Sequence, residues 1–215
     1  MPSIIMPTIM SWNVARAAGP RLDAVAALVT AYRPDLLLLQ EAVEDCRRLP
    51  DLLGGGTLAY RPAFPLARPR CGARSEGMAL WSPHGLESPD SVRLGGWPWP
   101  RVAQWCRLGG WTVCNLHLSH LPWQGRSQLV SIASRLPRPT LLAGDLNRPG
   151  GYRLAGFRTL VPPGWSFRRG PLRLRLDAAL LSDGAAGAQA RYLDAGASDH
   201  RPLLLTFAEA ASPHT

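Results

Sequence analysis

Lysine is missing from this 215-residue sequence: all 24 basic side chains are arginine. The gap accompanies a richness in Ala, Gly, Pro and Arg that points to a GC-rich genome, so arginine in place of lysine carries no functional weight by itself. Asparagine is scarce for the same reason and occurs at Asn13, Asn115 and Asn147 alone. The four cysteines, Cys46, Cys71, Cys106 and Cys114, have neither CxxC spacing nor a histidine at zinc-site spacing. That excludes the usual thiolate metal sites. Cys106 and Cys114 flank Gly109-Gly110 on an expected hairpin and are read as buried thiols of a cytosolic chain. No apolar run approaches the roughly 20 residues of a membrane helix, and no charged segment followed by a long apolar stretch opens the chain. A cytoplasmic monomer without membrane contact is expected.

What is present supports a real core: 46% of residues are hydrophobic and 8 are tryptophan. The length fits one large domain. The net charge is +9. Codon supply explains the choice of arginine but not the surplus of basic over acidic residues. A surplus of this size points to a polyanionic partner, nucleic acid first, and the planar guanidinium fork suits phosphate.

Taken in order, Thr8 to Val14 reads as a buried strand leaving Asn13 at its end. Apolar residues at helical spacing follow over 20–32, opened by Pro20 and stopped by Pro34. A second apolar run, Leu36 to Leu39, ends in Gln40-Glu41. Residues 42 to 75 alternate Pro, Gly and Arg and predict a helix remnant plus loops. Glu76 to Trp81 predicts a strand. A strand-like stretch from Val92 to Gly110, interrupted by Trp97-Pro98-Trp99-Pro100, turns back into Trp111 to Leu118. A helix is expected over 123–136, then a strand over 140–144 that closes on Asp145. The segment from 150 to Leu172 is rich in Gly, Pro and Arg. Arg173 to Leu181 predicts one strand with Asp177 inside it, and the last strand runs from Pro202 to Phe207.

Two strand–helix–strand units repeat one plan, with 28 positions from Asn13 to Glu41 and 28 from His117 to Asp145. Each delivers two polar side chains from strand ends. Taken alone, Gly144-Asp145 and Asn147-Arg148-Pro149-Gly150 are also ordinary turn chemistry; the repetition favours a site. Antiparallel strands between the units argue against a doubly wound sheet. The expected fold is a four-layer α/β sandwich of two packed mixed sheets with helices outside.

The polar residues at strand ends are Asn13, Glu41, Glu76, His117, Asp145, Asn147, Asp177, Asp199 and His200. Their hard oxygen donors suit Mg²⁺ or Mn²⁺ rather than zinc. Two histidines with acids to orient them suit proton transfer or the stabilisation of a charged transition state. Such a set fits metal-assisted attack of water on a phosphate ester. Asp177, inside an apolar stretch, requires a partner. The tryptophans are expected mainly in the core, with Trp97, Trp99 and Trp123 available to stack on bases. Arg74, Arg148, Arg168 and Arg169 are candidates to line a groove, and His84, His120 and His214 are expected at the surface or in loops.

The ordered series Ser11-Trp12-Asn13, Leu39-Gln40-Glu41, Glu76-Gly77-Met78-Ala79-Leu80, Asn115-Leu116-His117-Leu118, Gly144-Asp145-Leu146-Asn147, Leu176-Asp177-Ala178-Ala179-Leu180 and Ser198-Asp199-His200-Arg201-Pro202 resembles the endonuclease/exonuclease/phosphatase superfamily, whose fold is that of deoxyribonuclease I. The resemblance spans residues 8 to 207. It implies that Glu41 is the principal Mg²⁺ ligand, with Asn13 and Asp199 completing or flanking the metal site. Asp145 would position or deprotonate the attacking water, and Asn147 would hold a phosphate oxygen. His200, oriented by Asp177, would be the second proton-transfer group or phosphate contact. His117, oriented by Glu76, would stabilise charge on phosphorus. Signatures of the apurinic-endonuclease and inositol-phosphatase branches are missing, and so are sphingomyelinase-like insertions. The expectation is therefore a metal-dependent nuclease, with DNA as the substrate. The alternatives are a phosphoesterase for a small molecule and, third, a catalytically inactive binding module.

Overall fold

The computed structural model describes residues 7–63, 76–182, 187–194 and 198–207. The chain begins β1 (Ile9–Asn13), α1 (Pro20–Tyr32), β2 (Leu36–Ala42), a 3-10 turn (Glu44–Arg48) and α2 (Leu49–Leu52). It continues β3 (Thr57–Pro62), β4 (Gly77–Ser82), β5 (Glu87–Gly95), β6 (Arg101–Leu108), β7 (Trp111–His117), α3 (Pro122–Ala133) and β8 (Thr140–Asp145). It ends β9 (Phe157–Leu160), β10 (Phe167–Arg169), β11 (Leu172–Leu174), β12 (Asp177–Ser182), β13 (Ala188–Tyr192) and β14 (Leu203–Phe207).

Two six-stranded sheets form, in the orders β13-β14-β1-β2-β4-β3 and β5-β6-β7-β8-β12-β9, and β10 pairs with β11 as a separate ribbon. In each sheet a single parallel pair, β1 with β2 and β7 with β8, sits among antiparallel neighbours. A helix crosses over within each pair, as a parallel connection requires.

Alternation along the central strands builds the layers. Ile9, Leu36, Leu38 and Leu80 of the first sheet meet Val113, Leu141, Ala143 and Leu181 of the second in one buried cluster. The opposite side of the first sheet, with Met10, Trp12, Leu37 and Leu39, packs on Leu22, Val25, Ala26 and Val29 of α1. The outer side of the second sheet, with Cys114, Leu116, Leu142 and Leu180, packs on Leu129 and Ile132 of α3. The four-layer sandwich of two mixed sheets with helices outside is thus the observed architecture.

A polar link crosses the buried space between the sheets at its centre. Asn115 donates to the carbonyls of Leu39 (2.9 Å) and Ala79 (3.1 Å) and accepts from Gln40 Nε2 at 2.7 Å. Gln40 also donates to Ser11 Oγ at 3.0 Å. These bonds satisfy the Asn115 amide and the Gln40 Nε2 group, whose burial would otherwise be costly.

Several segments differ from the expectations above. Within 42 to 75 the helix remnant is present, but Thr57–Pro62 is a strand at the edge of the first sheet. β9 and β13 likewise pair at sheet edges where no strand was expected. Edge strands bury one side poorly, so their sequences lack the apolar run that marks β2 or β8. The stretch from Arg173 to Leu181 divides in two. Ser166 Oγ captures the backbone amides of Leu176 and Asp177 (2.9 and 3.0 Å), which separates β11 from β12. Cys106 and Cys114 fall on opposite faces of the second sheet as buried thiols, while Cys71, Arg74 and His214 lie outside the described residues. Among the described residues no helix is long and apolar enough to cross a membrane.

Candidate active site

One topological rule gathers the polar residues. β1, β2, β7 and β8 end at the same edge of the sandwich, so the residues closing them, Asn13, Glu41, His117 and Asp145, share that edge. β4, β12 and β14 run antiparallel to β2, β8 and β1, so their starts return to it. Glu76 and His200 therefore precede their strands and Asp177 opens its own, whereas the first four residues lie at the ends of theirs. The register sets Asp177 opposite Asp145, and Asp145 beside His117.

Local backbone devices aim these groups. The β2–β4 pairing shifts between Gln40 and Ala42, and Glu41 at this irregularity takes φ 49°. Without the shift, alternation would point Glu41 to the α1 side with Leu37 and Leu39. Gly144 is required by close approach: a Cβ there would lie 1.9 Å from the Leu116 carbonyl oxygen. Only glycine lets β8 lie against β7 with His117 and Asp145 side by side. Asn147, at φ 50°, donates its backbone amide to Asp145 Oδ1 at 2.9 Å and its side-chain amide to the Leu118 carbonyl at 2.9 Å.

The groups converge on one oxygen. Asp145 Oδ2 accepts from Asn13 Nδ2 at 3.0 Å and lies 3.6 Å from His117 Nε2 and 3.7 Å from His200 Nε2. His200 Nδ1 bonds Asp177 Oδ2 at 2.8 Å, with Asp177 fully buried. Burial works against charge on His200, but the carboxylates of Asp177 and Asp145 outweigh it and lift its pKa to about 10. His200 is thus an imidazolium at neutral pH, its Nε2–H directed at the cluster.

His117 is the opposite case. Burial first, and the Arg101 guanidinium second, hold its pKa well below the ordinary histidine value. Arg101 NH1 lies 3.2 Å from His117 Nδ1. Arginine donates and never accepts, so Nδ1 is the acceptor and the proton sits on Nε2. That buried N–H has no hydrogen-bond partner among the described residues. The family resemblance implied that Glu76 orients His117. Glu76 is nearby, but Arg101 occupies Nδ1, and Glu76 is bound at 2.6 Å by Arg16 and stands 3.9 Å from Arg101.

Glu41 accepts from Asn13 Nδ2 at 3.2 Å and has Arg16 at 4.0 Å. Its pKa is raised, chiefly by burial and next by the Glu76 charge. Oxygen or nitrogen atoms of Glu41, Glu76 and His117 lie within 4.8 Å of one another, and so do those of Asp145, Asp177 and His200. Two mutually repelling carboxylates at a partly open strand end fit a hard divalent cation. In the second trio the Asp177–His200 bond makes orientation of the imidazole the better reading. Asp199 belongs to neither trio: it is exposed and accepts from Ser198 Oγ at 3.4 Å.

Sequence reasoning missed Arg16, Arg101 and the contact role of His120, whose Nε2 lies 3.2 Å from Arg101 NH2. Arg101 was findable, because it opens β6, which runs antiparallel to β7 and so starts at the active edge. The groove candidates Arg148, Arg168 and Arg169 are exposed, with Arg148 stacked over Tyr152 at 5.5 Å.

A four-layer sandwich thus gathers carboxylates and imidazoles at one edge as a candidate catalytic site. Residues 10–200 match the model of the Endonuclease/Exonuclease/phosphatase family, and the chain belongs to that family. Membership assigns it to the hydrolases acting on phosphate esters, a family that uses divalent metals. An endonuclease/exonuclease/phosphatase family protein from Leptotrichia buccalis is similar in structure (TM-score 0.75, 15% identity, 94% of this chain and 99% of that one). So is one from Beutenbergia cavernae (TM-score 0.74, 18% identity, 94% and 72%). A third is truncated Caenorhabditis elegans TDP2 (TM-score 0.70, 20% identity, 94% and 97%). At these identities the likeness is one of fold. No curated protein gave a significant sequence match.

Proposed function

We propose that the protein is a Mg²⁺- or Mn²⁺-dependent phosphodiesterase that hydrolyses nucleic acid, DNA foremost. The observation carrying this reading is the Asp145 carboxylate, held between a neutral His117 and a charged His200 beside the Glu41–Glu76 pair. The +9 net charge supports a polyanionic substrate.

Apart from Asp199, whose role rests on the family resemblance alone, each residue has a role its geometry supports. Glu41 would hold the cation, with Asn13 Oδ1 and Asp199 completing or flanking its site. When bound, the cation supplies Lewis-acid neutralisation of the phosphoryl charge. Asp145, ringed by donors, orients the attacking water and takes its proton. His117 presents a desolvated Nε2–H to a non-bridging phosphate oxygen, where charge grows in the transition state. Asn147 adds a neutral amide donor there. His200, fixed by Asp177, stabilises the same charge as a cation and can protonate the leaving oxygen.

The test is hydrolysis of plasmid, linear, single-stranded and abasic DNA, RNA and a chromogenic phosphodiester, each with and without divalent metal. Glu41→Ala and His200→Ala are each expected to abolish cleavage with the fold retained; full activity in either overturns the site. Affinity for nucleic acid is expected to fall steeply with salt. Salt-insensitive turnover of the chromogenic ester alone would instead identify a small-molecule phosphoesterase.

A further inference from the structure

Six large apolar side chains are exposed among the described residues, and three of them, Trp97, Trp99 and Trp123, gather where the β5–β6 turn meets the start of α3. Trp97 is 78% exposed. Solvation of so large an apolar ring is unfavourable, yet the turn that carries it is held rather than loose. Gln124 grips Trp97 by both backbone groups, accepting from its amide (3.3 Å) and donating to its carbonyl (3.1 Å). Gln128 donates to the Gly95 carbonyl at 2.9 Å. The same two glutamines accept from Ser119, just beyond His117: Gln128 from its amide (2.9 Å) and Gln124 from its hydroxyl (3.2 Å). Turn, helix start and active-site strand end are thus one hydrogen-bonded unit.

A path of rings joins this unit to the site. His120 lies edge-on to His117, centroids 6.5 Å apart, and Trp99 lies edge-on to His120 at 6.2 Å. His120 is anchored by Arg101, the residue that also fixes His117. The aromatic surface therefore begins two rings from the imidazole facing the phosphate.

We propose that Trp97 and Trp99 form a stacking platform for nucleobases flanking the scissile phosphate, and that the substrate is accordingly single-stranded nucleic acid or an unpaired end. A base inside a duplex has no free face to offer, whereas single strands bind by stacking successive bases on aromatic side chains beside a basic groove. A platform pre-set by the Gln124 and Gln128 clamps avoids the entropy of ordering a loop on binding. The proposal rests on the phosphodiesterase reading above and specifies its substrate.

The experiment compares the wild type with Trp97→Ala/Trp99→Ala on three substrates with Mg²⁺ or Mn²⁺: a single-stranded oligonucleotide, its duplex, and the same strand with abasic units around the scissile bond. The wild type is expected to prefer the base-bearing single strand, and the double variant to lose that preference through a KM raised about tenfold. A preference that survives in the variant, or none in the wild type, overturns the platform. A second measurement uses tryptophan fluorescence with EDTA present, so that no cleavage occurs. Quenching by the oligonucleotide that is lost in the variant supports the platform even if no nucleic acid is ever cleaved, in which case the phosphodiesterase reading fails alone. Cleavage without such quenching overturns the platform and leaves the activity standing. A tryptophan-dependent blue shift on anionic phospholipid vesicles, with no response to the oligonucleotide, makes the patch a membrane contact and overturns the proposal. Thermal melting by circular dichroism checks that the variant is folded.

Discussion

The two sheets can be laid strand on strand, each with its parallel pair third and fourth in the order and a crossover helix outside. Asn13 then falls on His117, Glu41 on Asp145, Glu76 on Asp177, and the approach to β14, bearing His200, on the start of β6, bearing Arg101. The first sheet delivers a partly exposed carboxylate pair, with side chains 24% and 15% exposed for Glu41 and Glu76. The second delivers Asp145, Asp177 and His117 almost wholly buried. The same frame thus makes two microenvironments. One is partly open and rich in carboxylate charge, suited to a cation; the other is buried, suited to fixing tautomers and protonation states.

The sharpest way to break this comparison is to remove one acid from each sheet. Asp145→Asn and Glu41→Gln are both expected to lower kcat by about a thousandfold, measured by steady-state hydrolysis with saturating metal. Their effects on stability should diverge from that of Asp177. Asp177→Ala leaves a buried imidazolium without its partner and is expected to cost about 3–5 kcal/mol in chemical denaturation. Glu41 has a folded pKa raised above 4.5, so its contribution to stability is present below pH 4.5 and lost as the pH rises through the folded value. At neutral pH the ionised carboxylate therefore weighs against the fold. Glu41→Gln should keep or raise the metal-free Tm and abolish the further rise that Mg²⁺ or Mn²⁺ gives the wild type. A Tm drop matching that of Asp177→Ala would erase the distinction between the sheets.

A pH titration sharpens it further. His200 is raised from 6.5 to about 10, so its stabilisation is complete below pH 6.5 and is lost as the pH rises through about 10. The stability gap between wild type and His200→Gln should narrow across that window, followed by denaturant melts at successive pH values. A gap that widens instead would assign the wrong charge to the imidazole. The smallest functional effect is expected at the link between the sheets. Asn115→Ala should cost about 2 kcal/mol by removing three buried hydrogen bonds, to Gln40 and to the Leu39 and Ala79 carbonyls, with kcat nearly unchanged.

Much of this arrangement was legible in the chain. β1, β2, β7 and β8 are mainly apolar on both faces and carry polar residues at their ends, so both strand–helix–strand units and their four terminal groups could be read directly. That Asp177 needs a partner was legible because an aspartate in an apolar strand demands one; that the partner is His200 came from the family resemblance. β3, β9 and β13 were not, since an edge strand needs no continuous apolar run. Arg16 was hidden among 24 arginines, where nothing local separates a site guanidinium from a solvated one, and Arg101 could have been found only through its place at the start of β6.

By itself, then, the sequence determined the layers and the strand ends, because alternation, helix stops and turn residues act over a few positions. The tertiary structure alone decided which polar atoms touch. Asn13 meets Asp145 across 132 positions and Trp12 meets the His200 carbonyl across 188. Contacts so remote depend on inter-strand register and the packing of one sheet on the other. Those same two features put Arg101, rather than Glu76, on the inner nitrogen of His117.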